Sequence, residues 1–177
     1  MHSMNNIIHW RLQKELGRRI EIQLLMNLVT DSLQQPRQHL LRMPSDRSLH
    51  VFAEYTAEQL GQCNPEQQQR LHTHAFRLGT RLRRCLTSCD HKALTQLTFL
   101  LYRNIGISME GHFPGNVVID RCHFCHYYKP QICSIASLMD AGVIGGIFGG
   151  AQLKFHERIT EGKPHCLCEL AIHTQRI

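Results

Sequence analysis

The spacing of apolar residues changes at Gly106, and this change constrains the fold more than any other feature of the sequence. Before Gly106, apolar residues recur every three or four positions, which predicts amphipathic helices. After it, short apolar runs flank turn-prone residues, which is typical of antiparallel hairpins. The chain is therefore expected to combine a helical N-terminal part with a sheet near its C-terminus.

Several helical signals precede Gly106. An apolar stripe between Asn5 and Val29 predicts an amphipathic arm, and this stripe must cover either its own domain or a second subunit. Asn64 and Asp90 are both typical of a helix N-cap. We divide the chain into an N-terminal helical extension, residues 1–70, which could serve dimerisation, and an α/β domain, residues 71–177. The stripe of the arm consists of Ile8, Leu12, Leu16, Ile20, Leu24 and Leu28.

Cys85 and Cys89 continue the apolar stripe of the helix that Asn64 begins. A free cysteine behaves as a small apolar residue, so both are expected to be thiols in the core. A metal ion bound there would need two further ligands from elsewhere in the chain, and the core interpretation is therefore favoured.

Two hairpins and one helix are expected after Gly106. Residues 113–116 predict the turn of the first hairpin, and residues 161–164 that of the second. Between them, residues 132–150 have the length of a helix and many small side chains, which would let another backbone or a flat ligand approach closely. The glycine run in this segment does not fit the spacing of a dinucleotide-binding loop, so tight packing is favoured. The predicted fold is α/β, with an antiparallel sheet of two hairpins packed against helices and an N-terminal helical region.

Composition and charge narrow the functional classes. The chain is 42% hydrophobic, which is enough for a core, and no apolar run approaches the ~20 residues that a membrane-spanning helix needs. The formal net charge of +6 is spread along the sequence, so nucleic-acid binding is not supported. The first residues lack the pattern of a secretory signal, and we expect a cytoplasmic protein with reduced thiols.

Five of the eight cysteines lie between Cys122 and Cys168, and this clustering is the strongest chemical signal in the sequence. Cys122 and Cys125 have a spacing at which two sulfurs reach one ion, and Cys166 and Cys168 would point the same way from one strand. Thiolates and imidazoles bind zinc, and thiolates also hold iron–sulfur clusters. The candidate metal ligands are Cys122, Cys125, Cys133, Cys166, Cys168 and His126.

Three other interpretations of these cysteines stay open. Cys166 and Cys168 could line the inner face of a sheet as small apolar residues. Neighbouring thiols beside histidines could act in redox sensing, because their pKa values could be depressed. A thiol-dependent enzyme, either a hydrolase or a tetrapyrrole-related reductase, would use Cys122 or Cys125, although the common catalytic motifs are absent.

Short motifs occur in a particular order in the last part of the chain. They are Phe-Arg-Leu-Gly at 76–79, Tyr-Arg-Asn-Ile-Gly at 102–106, Ile-Asp-Arg-Cys at 119–122, Cys133 at the start of a helix, and Glu157, Gly162 and Cys166 in the last hairpin. In this order they resemble the 4-vinyl-reductase domain family. The resemblance implies an antiparallel sheet backed by helices, usually in a dimer, and zinc held by cysteines near the C-terminus.

The resemblance also implies a function, because members of that family bind small molecules, as sensors of aromatic compounds or beside bacteriochlorophyll biosynthesis. Cys122, Cys133 and Cys166 match its recurring cysteines, whereas Cys125 and Cys168 are additions. We expect a homodimeric module that binds a hydrophobic or aromatic small molecule. Residues 1–70 show no DNA-binding or ATPase segment, so any output would lie in a separate protein. The expected pocket lies between the sheet and the helix from Ile132 to Phe148. It is lined by Phe124, Tyr128, Met139, Ile147, Phe148 and Phe155.

Overall fold

The computed structural model describes the backbone of residues 2–172 and the side chains of residues 14–172. This part of the chain forms α-helices and one antiparallel sheet, which confirms the predicted fold class. Short turns of 3₁₀-helix follow β2 and precede β4. The elements are α1 (His2–Leu33), α2 (Ser45–Leu60), α3 (Pro65–Arg84), α4 (His91–Asn104), β1 (Ile107–Gly111), β2 (Gly115–Cys122), α5 (Pro130–Ile147), β3 (Gln152–Glu157) and β4 (Cys166–Ala171).

The arm helix α1 is longer than the predicted span from Asn5 to Val29. Leu33 is almost fully buried, so burial of apolar side chains continues past Val29 and the helix continues with it. Gln34 ends α1 in a left-handed conformation with a φ of 59°. The sequence lacks a strong stop signal at Val29, which explains the early predicted end.

The predicted stripe of α1 is only partly buried. Leu28 is buried, whereas Leu16, Ile20 and Leu24 are 56%, 46% and 43% exposed, so these three are not buried in their own domain and their cover by a second subunit stays a prediction. Ile8 and Leu12 lie outside the residues whose side chains are described. The stripe stays partly exposed because α1 carries a second set of apolar residues on a neighbouring face, and this second set enters the core. Its members are Ile22, Leu25, Met26, Val29 and Leu33.

The predicted N-caps of α3 and α4 are confirmed. The Asn64 side chain accepts a hydrogen bond from the Gln67 backbone N–H at 2.9 Å, and the Gln67 side chain accepts one from the Asn64 N–H at 2.9 Å. Asp90 Oδ1 accepts a hydrogen bond from the Ala93 N–H at 2.7 Å. Both caps satisfy backbone donors that a helix start leaves unpaired, so local sequence was sufficient to place them.

The prediction that Cys85 and Cys89 are core thiols is wrong, because both are exposed. α3 ends at Arg84, so Cys85 is only its C-cap and Cys89 lies in the connection to α4. The helical periodicity that aligned both cysteines with the apolar stripe stops one residue before the first of them.

The sheet has the strand order β1-β2-β4-β3, and every neighbouring pair is antiparallel. It consists of the two predicted hairpins, β1 with β2 and β3 with β4, joined where β2 pairs with β4. In that central pairing Ile119 stands opposite Cys166 and Val117 opposite Cys168. All four side chains are buried, which places them on the inner face of the sheet against α5.

α5 packs against α3 with almost no side chain between the two backbones. A Cβ atom on Gly79 would lie 2.1 Å from the Val143 carbonyl oxygen, and one on Gly146 would lie 2.2 Å from the Phe76 carbonyl oxygen. Only glycine permits this approach. The structure therefore confirms that the small residues of this segment serve tight packing.

α5 is also the one described helix that is long and apolar enough to cross a membrane, judged by length and composition alone. Half of it is buried, between α3 on one side and the sheet on the other. A core helix of a folded domain meets the same criteria. The buried side chains around it form one continuous cluster that includes Ile22 of α1, Phe52 of α2 and Leu170 of β4.

Candidate functional site

The largest apolar cavity among those that meet at α5 lies between α1, α3, α4 and α5, and we call it the helix cavity. Its volume is about 220 Å³. Half-exposed side chains of α1, including Ile20 and Leu24, form its outer edge, which connects it to the surface. Its apolar wall consists of Gly17, Ile20, Leu24, Leu25, Leu78, Leu82, Leu101, Ile105, Met139 and Val143.

Two carboxyl groups face this apolar cavity, those of Glu21 and Asp140. Asn104 Nδ2 donates a hydrogen bond to Glu21 Oε2 at 3.0 Å, and the Tyr102 hydroxyl donates one to Asp140 Oδ1 at 3.0 Å. Burial raises the pKa of Glu21 to about 7 and the pKa of Asp140 to about 6, although the two hydrogen bonds act to lower these pKa values. The wall of the cavity is otherwise apolar, and these two carboxyl groups are its acidic members.

The sequence contains one signal for this site that our sequence predictions did not use. Asp140 is the single charged residue in the 18 residues of α5. A lone carboxylate in an apolar helix either reaches solvent or lies buried with a specific partner, and the second case marks candidate functional sites. Glu21 lies among several charged residues of α1, so nothing in the local sequence distinguishes it.

Two smaller cavities of about 50 Å³ each lie beside the helix cavity. The first thiol cavity opens towards α2, where Phe52 lines it, and the second thiol cavity lies between α5 and the sheet. Asp140 contributes to the walls of all three cavities. These spaces therefore converge on the carboxyl group of Asp140.

The structure brings the predicted cysteines together around the thiol cavities. Cys122, Cys133 and Cys166 line both of them, Cys125 lines the first and Cys168 the second. β2 and β4 are neighbours, and Cys133 in the first turns of α5 reaches the same space. His126 is the exception among the predicted ligands, because it is exposed and lines neither cavity.

Burial keeps these thiols in their neutral form. Desolvation raises the pKa of Cys122 to about 12, and it also raises the pKa values of Cys133, Cys166 and Cys168 above their usual range. The Ile159 backbone N–H donates a hydrogen bond to Cys166 Sγ at 3.4 Å. Metal ligation and nucleophilic attack both need the thiolate, so the environment favours apolar packing of these sulfurs.

The donor set does not fit a zinc or iron–sulfur site as the side chains stand. Within residues 14–172, no three His, Cys, Asp or Glu side chains lie close enough together to hold one metal ion. A tetrahedral structural zinc site needs four such ligands. The described residues therefore offer no ligand cluster for a metal ion, and the zinc or iron–sulfur site stays a prediction.

The six predicted ligand-binding residues divide into three groups. Phe124 and Tyr128 line the first thiol cavity, and Phe155 lines the second. Met139 lines both the helix cavity and the first thiol cavity. Ile147 and Phe148 are buried but line none of the three cavities, and the Phe148 ring packs instead on Phe113 with 5.1 Å between ring centroids.

Comparison with known proteins adds no assignment: no family model matches this chain, and no curated protein or solved structure matches it. The fold and the site define an α/β protein whose four-stranded antiparallel sheet covers a core helix, with apolar cavities that meet at a buried carboxyl group. The resemblance to the 4-vinyl-reductase domain family stays a prediction.

Thiol alkylation checks the described placement of the cysteines. We expect iodoacetamide at pH 8 to modify exposed Cys85 and Cys89 at least about 100-fold faster than Cys122, because Cys122 is desolvated and its pKa is about 12. Mass spectrometry of peptides at successive times measures the rates, and the urea-unfolded chain serves as the control in which these differences collapse. Rapid modification of Cys122 in the folded protein would contradict the placement and favour a reactive thiol.

Proposed function

We propose that this protein is a small-molecule-binding module and that the helix cavity is its principal site. The observation that carries the proposal is an apolar cavity of about 220 Å³ with a few polar groups on one side. Apolar walls with a small number of oriented polar groups are typical of ligand sites. An engineered apolar cavity of about 150 Å³ binds benzene, so this volume suits a single ring with a short side chain.

The alternative of a thiol-dependent enzyme receives less support. Such an enzyme would need a thiolate at Cys122 or Cys125, with a base beside it. The high pKa of Cys122 opposes that role, since desolvation stabilises the neutral thiol. Among the hydrogen bonds of the described residues, none joins Cys122 or Cys125 to a histidine.

Filling the helix cavity tests the proposal. We expect Leu101→Trp to weaken the binding of one-ring compounds at least ten-fold, because the larger side chain occupies the space that the ligand needs. Leu100→Trp is the matched control, since Leu100 is the preceding residue of α4, is 48% exposed and lies outside the cavity wall. Titration calorimetry with a panel of neutral, cationic and anionic phenylethyl compounds measures the affinities.

Two outcomes contradict the proposal. In one, no member of the panel binds the wild-type protein with a Kd below about 1 mM, which corresponds to only about −4 kcal/mol. In the other, the Leu101→Trp and Leu100→Trp variants bind the panel equally well, and the binding then takes place elsewhere in the molecule.

A further inference from the structure

The charged side chains that line the helix cavity are all acidic. The side chains that line it include two carboxyl groups, Glu21 and Asp140, and the phenol of Tyr102, but no lysine, arginine or histidine. Burial is the largest cause that raises the pKa of Tyr102, and the carboxyl groups of Asp140 and Glu21 raise it further. A ligand that enters this cavity therefore meets apolar walls and an acidic inner side without a resident cation.

Each carboxyl group also has an unused acceptor. Asn104 donates to Glu21 Oε2 and Tyr102 donates to Asp140 Oδ1. No other hydrogen bond from the described side chains or backbone reaches Glu21 Oε1 or Asp140 Oδ2. A carboxylate can accept about four hydrogen bonds, so both groups have capacity for a donor inside the cavity.

The nearest arginines are engaged elsewhere. Arg18 Nη1 lies 2.8 Å from Asp46 Oδ1, and Arg158 Nη1 lies 3.4 Å from Glu161 Oε1. The Arg158 guanidinium also stacks over the Phe155 ring, 4.9 Å from its centroid. Neither arginine forms a hydrogen bond with the carboxyl groups. Arg18 lowers the pKa of Glu21, and Arg158 lowers the pKa of Asp140, through longer-range electrostatic attraction only. Each carboxyl group thus has a neutral hydrogen-bond donor as its partner, but the cavity wall supplies no cation to either of them.

We infer that the ligand of the helix cavity is an apolar amine, bound as its ammonium ion beside the carboxyl groups that line the cavity, those of Glu21 and Asp140. This inference rests on the proposed function and names its ligand class. An ammonium group supplies three donors and a positive charge, and charge-assisted hydrogen bonds are about twice as strong as neutral ones. The apolar wall takes the hydrocarbon part, for which a phenylethyl group has a suitable size.

The test compares three probes that share a phenylethyl group, on the full chain at pH 7.5: phenethylamine, 2-phenylethanol and 3-phenylpropanoate. We expect calorimetry to show the amine binding at least ten-fold tighter than the alcohol, and the anion weaker than both. Asp140→Asn should weaken the amine at least ten-fold and change the alcohol less than two-fold. Glu110→Gln is the control variant, because it removes one exposed carboxylate from β1, outside the cavity.

A second readout needs no variant. Ionisation of Glu21 and Asp140 strengthens amine binding, so the amine affinity of the wild-type protein should rise at least ten-fold from pH 5 to pH 8, while the alcohol affinity stays level. The other titratable groups that face these carboxyls all have raised pKa values, which keep them neutral over this range. They are Tyr102 on α4, Cys122 on β2, Tyr128 before α5, Cys133 on α5, and Cys166 and Cys168 on β4. Arg18 and Arg158 stay charged throughout.

The outcomes separate the two proposals. Equal affinities for amine and alcohol, or an amine affinity that does not change with pH, would overturn the amine assignment and leave the binding function standing. Failure of all three probes to bind would overturn both. Circular dichroism shows whether Asp140→Asn folds. If it does not fold, the probe comparison and the pH series on the wild-type protein still test the amine assignment.

Discussion

Replacing Gly146 with alanine is expected to lower the free energy of unfolding by about 3 kcal/mol, at the upper end for overpacked cores. The added Cβ would lie 2.2 Å from the Phe76 carbonyl oxygen and 2.7 Å from the Thr80 backbone nitrogen. These are backbone atoms of α3, so relief requires the two helices to move apart. Gly79→Ala should act in the same way from the opposite helix, because its Cβ would lie 2.1 Å from the Val143 carbonyl oxygen.

Gly17→Ala is the matched control for this prediction. Gly17 lies in α1, and a Cβ placed there meets no atom within 4 Å. Alanine should therefore raise the stability by about 0.5–1 kcal/mol, the ordinary gain in helix propensity. Urea unfolding followed by circular dichroism measures all three variants. If Gly146→Ala proves as stable as Gly17→Ala, α3 and α5 do not pack as described.

The wild-type protein is expected to lose about 3 kcal/mol of stability relative to Glu21→Gln as the pH rises from 4 to 9. Burial raises the pKa of Glu21 from its usual 4.5 to about 7, so the folded state binds the proton more tightly than the unfolded chain. Because the folded-state pKa lies above the unfolded-state pKa, the stability falls as the pH rises from about 4.5 to about 7. Below pH 4.5 both states are protonated and no difference arises, whereas above pH 7 both are ionised and the folded state carries the cost of the buried charge.

Comparing pH series isolates this effect from other titrating groups. Asp140→Asn should show the same sign in a lower window, because the pKa of Asp140 rises from its usual 3.8 to about 6. Glu110→Gln again serves as the control, since an exposed carboxylate should leave the profile parallel to that of the wild type. Urea unfolding at each pH gives the stabilities. Parallel profiles of the wild-type protein and Glu21→Gln would show that Glu21 is solvated.

Local signals in the sequence were sufficient where a few neighbouring residues decide the structure. Asn64 and Asp90 cap helices with their own side chains, and both caps are present. The connection between β1 and β2, residues 112–114, overlaps the predicted turn at residues 113–116. Cap and turn chemistry acts over three or four residues, so it can be recognised before the tertiary structure is known.

Predictions failed where periodicity was extended without knowledge of where a helix ends or what faces it. Cys85 and Cys89 matched the spacing of α3 but lie beyond its last residue. For the stripe of α1 that includes Leu16, periodicity left open whether its own domain or a second subunit covers it, and in this domain a neighbouring face of α1 enters the core instead. An apolar pattern shows that a face can be buried, but the packing partner determines which face is.

The sequence by itself determined the order of helices and strands, the hairpin pairing and the glycines that allow α5 to approach α3, because these depend on residue type and local spacing. The tertiary structure alone decided that Glu21 and Asp140, far apart in the chain, share one apolar cavity. A cavity is the space that several helices leave unfilled, and a pKa raised by burial depends on that same packing. Neither quantity belongs to any one segment of the sequence.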